Sequence, residues 1–282
     1  MKALRIGLGQ VRPVLGDVSR NLELHLEWTK EAKRQGIELL VFPELGLTGY
    51  FLKDLTLEVA RSLDHPDIVR MVEASTLLDL VFSFIEESSD HRFYVTAVYA
   101  SHGRVLHVHR KLYLPTYGMF EESRHFASGD DLQSFSTAAA GRVGLMICED
   151  AWHPSVPYLL SVAGVDLVVI PSAGPGRALS GDPNSGSQQF WHRVIRTYAQ
   201  LFTSYYVFVN RVGFEDGVFF FGHSAVAAPD GEIIASTGSS DATLLAVDLD
   251  LDVLRKERYR SPFLRDENPH LTLRTLDRLL GR

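Results

Sequence analysis

Short apolar runs rich in β-branched residues recur along the chain, and their alternation with longer amphipathic stretches constrains the fold more than any other sequence feature. The runs are LRIGLG (4–9), ELLVF (38–42), FYVTAVYA (93–100), VLHVHR (105–110), VGLMIC (143–148), DLVVI (166–170), YYVFVN (205–210), SAVAAP (224–229) and LLAVDLD (244–250). Each has the length of a strand, and several are apolar at consecutive positions, as strands covered on both faces are. Between them, residues 18–35 place Leu22, Leu26, Thr29 and Ala32 on one helical face. Asp17 or Ser19 stands ready as the N-cap and Gly36 falls just past the end. Residues 66–78 and 154–164, each opening near a proline, also read as helices, as does 187–203, which carries Trp191, Ile195 and Tyr198.

Strand–helix alternation gives way to hairpin-like strands around DGVFFFGHSAVAAPDGEIIAS, where PDG (229–231) is a turn signal. The expectation is a mixed α/β domain with helices covering its sheets. No repeat, low-complexity tract or charge block divides the 282 residues, so one domain over 1–282 is expected. The Gly/Pro/Ser-rich stretch 171–187 is too short for a domain linker and long enough for an active-site rim.

With 28 Lys and Arg against 35 Asp and Glu, the formal charge of −7 offers no electrostatic footprint for nucleic acid or an anionic membrane, and small-molecule or protein partners are favoured. No apolar run approaches membrane-spanning length, and the N-terminus lacks the pattern of a secretory signal. A single cysteine excludes an internal disulfide framework and suits a reducing compartment, so a cytoplasmic location is expected.

Three residues stand where apolar strands end. Glu44 follows ELLVF; desolvation beside a sheet edge would raise its pKa towards that of a useful base, although a lone glutamate there is more often an exposed loop residue. Lys111 follows VLHVHR, where a cation beside a cleft can stabilise an oxyanion or a thiolate, although a solvated lysine is the commoner case. Cys148 closes VGLMIC at a strand-to-helix corner of the kind that exposes nucleophiles in α/β enzymes, although buried cysteines more often pack as small hydrophobes. Together they make a base, a cation and a nucleophile that a sheet would bring to one rim. His107 and His109 share a strand face, but no Cys or carboxylate cluster accompanies them, so no metal site is expected.

The chain resembles the nitrilase, or carbon–nitrogen hydrolase, superfamily. The resemblance rests on FPELGLTGY around Glu44, HRKLYLPTYGMFEESRHF around Lys111, and GLMICEDAW around Cys148, in that order. A fourth segment, NRVGFEDGVFFFGHSAVAAPDGEI (210–233), matches the family's late pattern. The spellings GLTGYFLKDL, LPTYGMFEESRHF and ICEDAW are most similar to the glutaminase domain of glutamine-dependent NAD synthetases.

The resemblance implies a four-layer αββα sandwich that pairs into homodimers or larger assemblies. The C-terminal segment 250–282 would pack across such an interface or, equally, on its own chain. It implies Glu44 as general base, Lys111 as the cation at the tetrahedral intermediate, Cys148 as nucleophile, and Glu122 as a second glutamate supporting the lysine. Tyr117, Trp152 and Ser172 would line the substrate pocket, and Glu149 would lend its backbone N–H to the oxyanion.

The expected activity is an amidase acting on a small non-peptide amide or N-carbamoyl compound, with no metal or organic cofactor. The alternatives are a stand-alone glutaminase serving a separate synthetase, and a non-catalytic interaction protein of the same fold. Two departures from the NAD synthetase pattern stand out. These residues contain no Ser-Gly-Gly ATP loop, and the 171–187 loop differs at Gly174 and in length, which bears on the substrate. Arg177 in that loop would face either a substrate carboxylate or water.

The acids that follow Cys148 raise an electrostatic question. A lysine ammonium ~4 Å from sulfur at an effective dielectric near ~20 contributes about 4 kcal/mol, or about three pKa units, whereas a carboxylate ~8 Å away through water opposes it by only about 0.5 kcal/mol. Lys111 is therefore expected to outweigh Glu149 and Asp150, with Asp150 hydrogen-bonding the following helix or a neighbouring loop.

Overall fold

The computed structural model describes residues 3–176 and 185–281. One six-stranded sheet contains β1 (Ala3–Gln10), β2 (Leu39–Val41), β3 (Asp79–Glu87), β4 (Phe93–Ser101) and β5 (Arg104–Arg110). A second contains β6 (Ser134–Thr137), β7 (Gly141–Leu145), β8 (Leu167–Ser172) and β9 (Tyr205–Asn210). The hairpin β10 (Val212–Glu215) and β11 (Val218–Phe221) stands apart from both; β12 (Ala225–Ala227) and β13 (Ile233–Ser236) complete the second sheet, and β14 (Thr243–Asp250) returns to the first. The strand orders are β14-β1-β2-β3-β4-β5 and β13-β12-β9-β8-β7-β6. The helices are α1 (Val18–Arg34), α2 (Thr56–Val59), α3 (Pro66–Ala74), α4 (Glu122–His125), α5 (Ser155–Val162), α6 (Ser185–Phe202), α7 (Asp252–Arg260), α8 (Phe263–Asp266) and α9 (Pro269–Leu279).

Strand periodicity builds the layers, because successive side chains point to opposite faces. Leu4, Ile6 and Leu8 of β1, with Val81 and Ile85 of β3, meet Leu167 and Val169 of β8 and Val207 and Val209 of β9 in the core between the sheets. The alternate residues Leu80, Phe82 and Phe84 face outward onto Leu22 of α1 and Ile68, Met71 and Val72 of α3. Val168, Ile170 and Phe208 face Val156 and Leu160 of α5 and Trp191, Ile195 and Ala199 of α6. The result is the expected αββα order. The expected helices and strand runs are all present, but β3 was not among them. DLVFSFIEE is a central strand that pairs parallel with β2 and antiparallel with β4.

Local signals set the helix ends. Asp17 Oδ1 accepts from Arg20 N at 3.0 Å at the start of α1, and Gly36, at φ +72°, takes the left-handed turn beyond its end. Among the described residues no helix is long and apolar enough to cross a membrane. In the C-terminal segment, Arg258 bonds Asp166, and Tyr158 of α5 donates to Glu267 and contacts Thr272, so the segment is tied to its own chain. Yet α9 leaves Leu271, Leu273, Leu276 and Leu279 exposed.

One helix residue makes stability depend on pH. His25 is fully buried on α1, its Nδ1 paired with the Asn21 carbonyl and its Nε2 without a hydrogen-bond partner. Burial pushes its pKa down to about 4. The unfolded chain takes up this proton near pH ~6.5 and the folded chain only near 4. This contribution is therefore intact above ~6.5 and is lost as pH falls to ~4, by up to about 3 kcal/mol. In urea unfolding, His25→Gln should cost stability at about pH 7, and the gap to wild type should shrink by that order at about pH 4.5. An unchanged gap would refute the assignment.

Candidate active site

Parallel β2, β5, β7 and β8 deliver their carboxyl ends to the rim where open α/β sheets carry ligand sites. Glu44 lies three residues past β2, Lys111 directly follows β5, and Ala173 follows β8. Cys148 begins a short 3₁₀ turn, Cys148–Trp152, at φ +41°. That conformation is uncommon for a residue with a side chain, and outliers of this kind cluster at functional sites. Glu122 is the first residue of α4.

These segments converge in one buried cluster. Lys111 Nζ donates to Glu44 Oε1 at 2.7 Å and to Glu122 Oε1 at 2.7 Å. The Ala173 N–H donates to Glu44 Oε2 at 2.8 Å, so both oxygens of that carboxylate are fixed. The Tyr50 hydroxyl donates to Glu122 Oε1, while Glu122 Oε2 is buried without a partner. Glu44 and Lys111 are closed off from solvent, whereas Cys148 keeps part of its surface open.

Burial and charge set the protonation states. Burial alone would lower the Lys111 pKa, but Glu122 and Glu44 overcome it and hold the ammonium well above its ordinary value. Burial, reinforced by Glu44, raises Glu122 to about 7 against the pull of Lys111 and Tyr50. Cys148 corrects the expectation drawn from charge alone: burial first, and Glu44 second, raise its pKa well above the ordinary thiol value, against Lys111 and the Ala173 N–H. Glu149 and Asp150 are not among the largest influences on the thiol, whereas Lys111 is. Desolvation was the omitted quantity, and Lys111 already serves two carboxylates. Cys148 therefore rests as a thiol, and a reaction through its sulfur would need a base.

The two acids after Cys148 have separate tasks. The Glu149 carboxylate accepts from the Tyr117 hydroxyl at 3.1 and 3.0 Å. Asp150 is fully buried and holds the corner: its Oδ2 accepts from Ile147 N and pairs with His109 Nε2, both at 2.9 Å. Its Oδ1 accepts from Leu112 N at 2.9 Å and Tyr113 N at 3.0 Å. One carboxylate thus ties the chain after Lys111 to the turn that carries Cys148. His109 is committed to that clamp, and His107 stacks on Phe135.

A pocket of about 300 Å³ opens onto Cys148. Tyr117, Glu149 and Trp152 line it, with Gly174 and Pro175 of the loop expected to form an active-site rim, and with Phe120, Phe190, Trp191 and Arg193, for which the sequence offers no pocket signal. Trp152 stacks on Phe190 with ring centroids 4.4 Å apart and meets Trp191 edge-on at 5.3 Å. Gly174 has a packing reason, since a Cβ there would sit 3.1 Å from both Phe221 and Trp191. Ser172 is not in this lining; it is fully buried at the end of β8, its Oγ 3.4 Å from the Ile170 carbonyl. Arg177 lies outside the described residues.

The family model for carbon–nitrogen hydrolases matches residues 5–259. The chain belongs to that family. It is 34% identical over 260 residues to a glutamine-dependent NAD(+) synthetase of Thermotoga maritima, covering 89% of this chain and 43% of that protein. The chain therefore spans less than half the length of that synthetase. It is 28% identical over 282 residues to N-carbamoylputrescine amidase of Solanum tuberosum, covering 93% of this chain and 92% of that enzyme. A solved amidase from Nesterenkonia sp. superposes with a TM-score of 0.79 at 25% identity over 96% of each chain. That structure carries the acetamide moiety of fluoroacetamide covalently added at its active-site cysteine. This carbon–nitrogen hydrolase is thus an enzyme of the class that acts on C–N bonds, within the nitrilase superfamily.

Proposed function

We propose that this carbon–nitrogen hydrolase is a thiol-dependent amidase that cleaves a small non-peptide amide or N-carbamoyl compound through a thioester on Cys148, releasing ammonia. The observation that carries the reading is the meeting of Glu44, Lys111, Glu122 and Cys148 behind a pocket of about 300 Å³. In this reading Glu44 takes the thiol proton as the sulfur attacks the carbonyl carbon. The oxyanion is held by Lys111 and by the N–H of Glu149, the residue after the nucleophile. The C–N bond breaks as Glu44 returns the proton to the leaving nitrogen. Water then attacks the thioester, giving a proton to Glu44, and the acid departs as the thiol is restored. Both half-reactions run on these side chains, and no step calls for a metal or organic cofactor.

Pocket size and charge narrow the substrate. A volume at the small end for ligand sites suits a short chain, and the aromatic wall suits its methylenes. Among the described lining residues Glu149 supplies the carboxylate, so an ammonium group is the favoured far end. The names of the relatives fit this chemistry, since carbamoylputrescine and glutamine both carry one. Arg193, also at the pocket, favours a second reading in which glutamine, with its additional carboxylate, is the substrate. A stand-alone glutaminase would then pass ammonia to a separate synthetase.

Ammonia release from a panel of glutamine, N-carbamoyl diamines and neutral alkyl amides tests both readings; no ammonia from any of them would sink the enzyme assignment. Glu149→Gln preserves the backbone N–H and removes the charge. It should lower kcat/KM for ammonium-bearing amides by about 10–100-fold and for neutral amides by far less. Equal losses for both classes would remove Glu149 from substrate recognition.

A further inference from the structure

The late segment NRVGFEDG carries a buried ion pair that the proposed mechanism does not use. Arg211 is fully buried, and its Nη2 donates to Glu215 Oε2 at 2.5 Å, while Nε and Nη1 have no hydrogen-bond partner. Leaving two donors of a buried guanidinium unmatched is costly, and an apolar pair would commonly serve stability as well or better. The pair therefore calls for another reason.

Its other contacts supply one. Glu215 Oε1 accepts the N–H groups of both Tyr50 and Phe51 at 2.7 Å, from a segment more than 160 residues earlier in the chain. Gly49 makes the approach possible: it takes φ +82°, and a Cβ there would lie 2.8 Å from the Leu15 Cα and 3.1 Å from Glu215 Oε2. The Arg211 guanidinium lies 4.3 Å over the Phe220 ring, and Phe220 packs edge-on against Tyr50 at 5.9 Å. Tyr50 then reaches Glu122 Oε1, the same oxygen that Lys111 holds.

We propose that Arg211 and Glu215 form a positioning device for the Lys111–Glu122 pair, acting through Tyr50. Fixing the backbone of residues 50 and 51 aims the Tyr50 hydroxyl at Glu122 Oε1. That bond helps to keep Glu122 ionised and turned towards Lys111, leaving Oε2 facing away from both. The groups acting on Glu122 are Lys111 and Tyr50, which favour its charged form, and Glu44, which opposes it. Removing the Tyr50 hydroxyl therefore raises the pH at which Glu122 ionises.

The significance of the device for turnover rests on the proposed amidase reading, so its test uses a readout that needs no amide substrate. The probe is the pH dependence of Cys148 alkylation by iodoacetamide in wild type, Tyr50→Phe, Glu215→Gln and the double variant. The wild-type curve should bend near pH ~7, where Glu122 ionises, because that charge opposes the thiolate. Tyr50→Phe should move the bend upward by about half a unit to one unit, and Glu215→Gln should move it in the same direction by less. Adding Glu215→Gln to Tyr50→Phe should shift it no further, since the effect passes through Tyr50.

A bend that stays in place in Tyr50→Phe, or equal shifts from Glu215→Gln with and without Tyr50, overturns the proposal. A purely structural role would lower the unfolding midpoint and leave the bend unmoved. If Glu215→Gln does not fold, Glu215→Asp makes the same test by withdrawing the carboxylate from both N–H groups while keeping the charge beside Arg211. Failure to find an amide substrate would leave these alkylation results standing.

Discussion

Cys148→Ala is expected to reduce ammonia release to the buffer background while leaving the fold and the pocket in place. The chain has no other cysteine, so no second thiol can substitute. The competing view is that the residue is inert packing, or that the protein kept the fold and lost the chemistry. The surroundings oppose it: the thiol lies within electrostatic reach of Glu44, Lys111 and Glu122, and one buried lysine is shared by two carboxylates. Such a cluster is a poor means of stabilising a core, where packed apolar side chains do as well without desolvating charge. Truncating the thiol of a half-buried residue removes one heavy atom, so the loss of stability should stay within about 1–2 kcal/mol. Nucleophile deletion in covalent catalysis, by contrast, removes several orders of magnitude of rate. Mass spectrometry of the wild-type protein with a slowly hydrolysed amide should show the acyl mass on the peptide containing Cys148. Residual turnover in Cys148→Ala above a few per cent would place the chemistry elsewhere.

What the sequence disclosed, and what it withheld, follows from the range of the interactions. Glu44, Lys111 and Cys148 are legible because each follows the end of an apolar strand, although the strands before Glu44 and Lys111 lie in one sheet and the strand before Cys148 in the other, so it is the packing of the two sheets that brings them together. The residues alone indicate sheets covered by helices, while the four-layer order comes from the family resemblance, because a run such as DLVVI is apolar on both faces and does not say which residues face which layer. β3 is hard to recognise in the sequence although VFSFI has strand composition, because it is apolar at most positions and shows no alternation to separate it from the helical stretch before it. The pocket wall was harder. Phe190 and Arg193 come from α6 and Phe120 from the loop before α4, and only the tertiary fold brings them to Cys148. Ser172, expected in the pocket lining, is instead buried within the sheet, while Gly174 and Pro175 reach the pocket. The contacts from Asp150 to Leu112 and from Glu215 to Tyr50 leave no local pattern at all. The protonation state of Cys148 depended on burial, which a list of neighbouring charges does not contain.

Glu44→Gln should separate two reactions of the same thiol. In the proposed amide hydrolysis, Glu44 accepts the thiol proton, delivers it to the leaving nitrogen, and later deprotonates water. Glutamine fills the same space and keeps an oxygen for the Ala173 N–H or for Lys111, but it cannot carry a proton between these partners. Loss of a general base used in both half-reactions should lower kcat by at least about 10³-fold, equivalent to about 4 kcal/mol. The thiol itself responds in the opposite direction. After burial, the Glu44 charge is the largest influence holding the Cys148 pKa up, so its removal lowers that pKa and leaves Lys111 with one carboxylate fewer to neutralise it. A haloacetamide loses halide and needs no proton delivered to its leaving group. Alkylation of Glu44→Gln near pH ~7 should therefore proceed as fast as in wild type or faster, its pH dependence displaced towards lower pH. If Glu44 only held Lys111 in place, hydrolysis and alkylation would fall together. If it only raised the thiol pKa, glutamine would accelerate both. Hydrolysis lost with alkylation retained is the pattern that proton transfer through Glu44 requires.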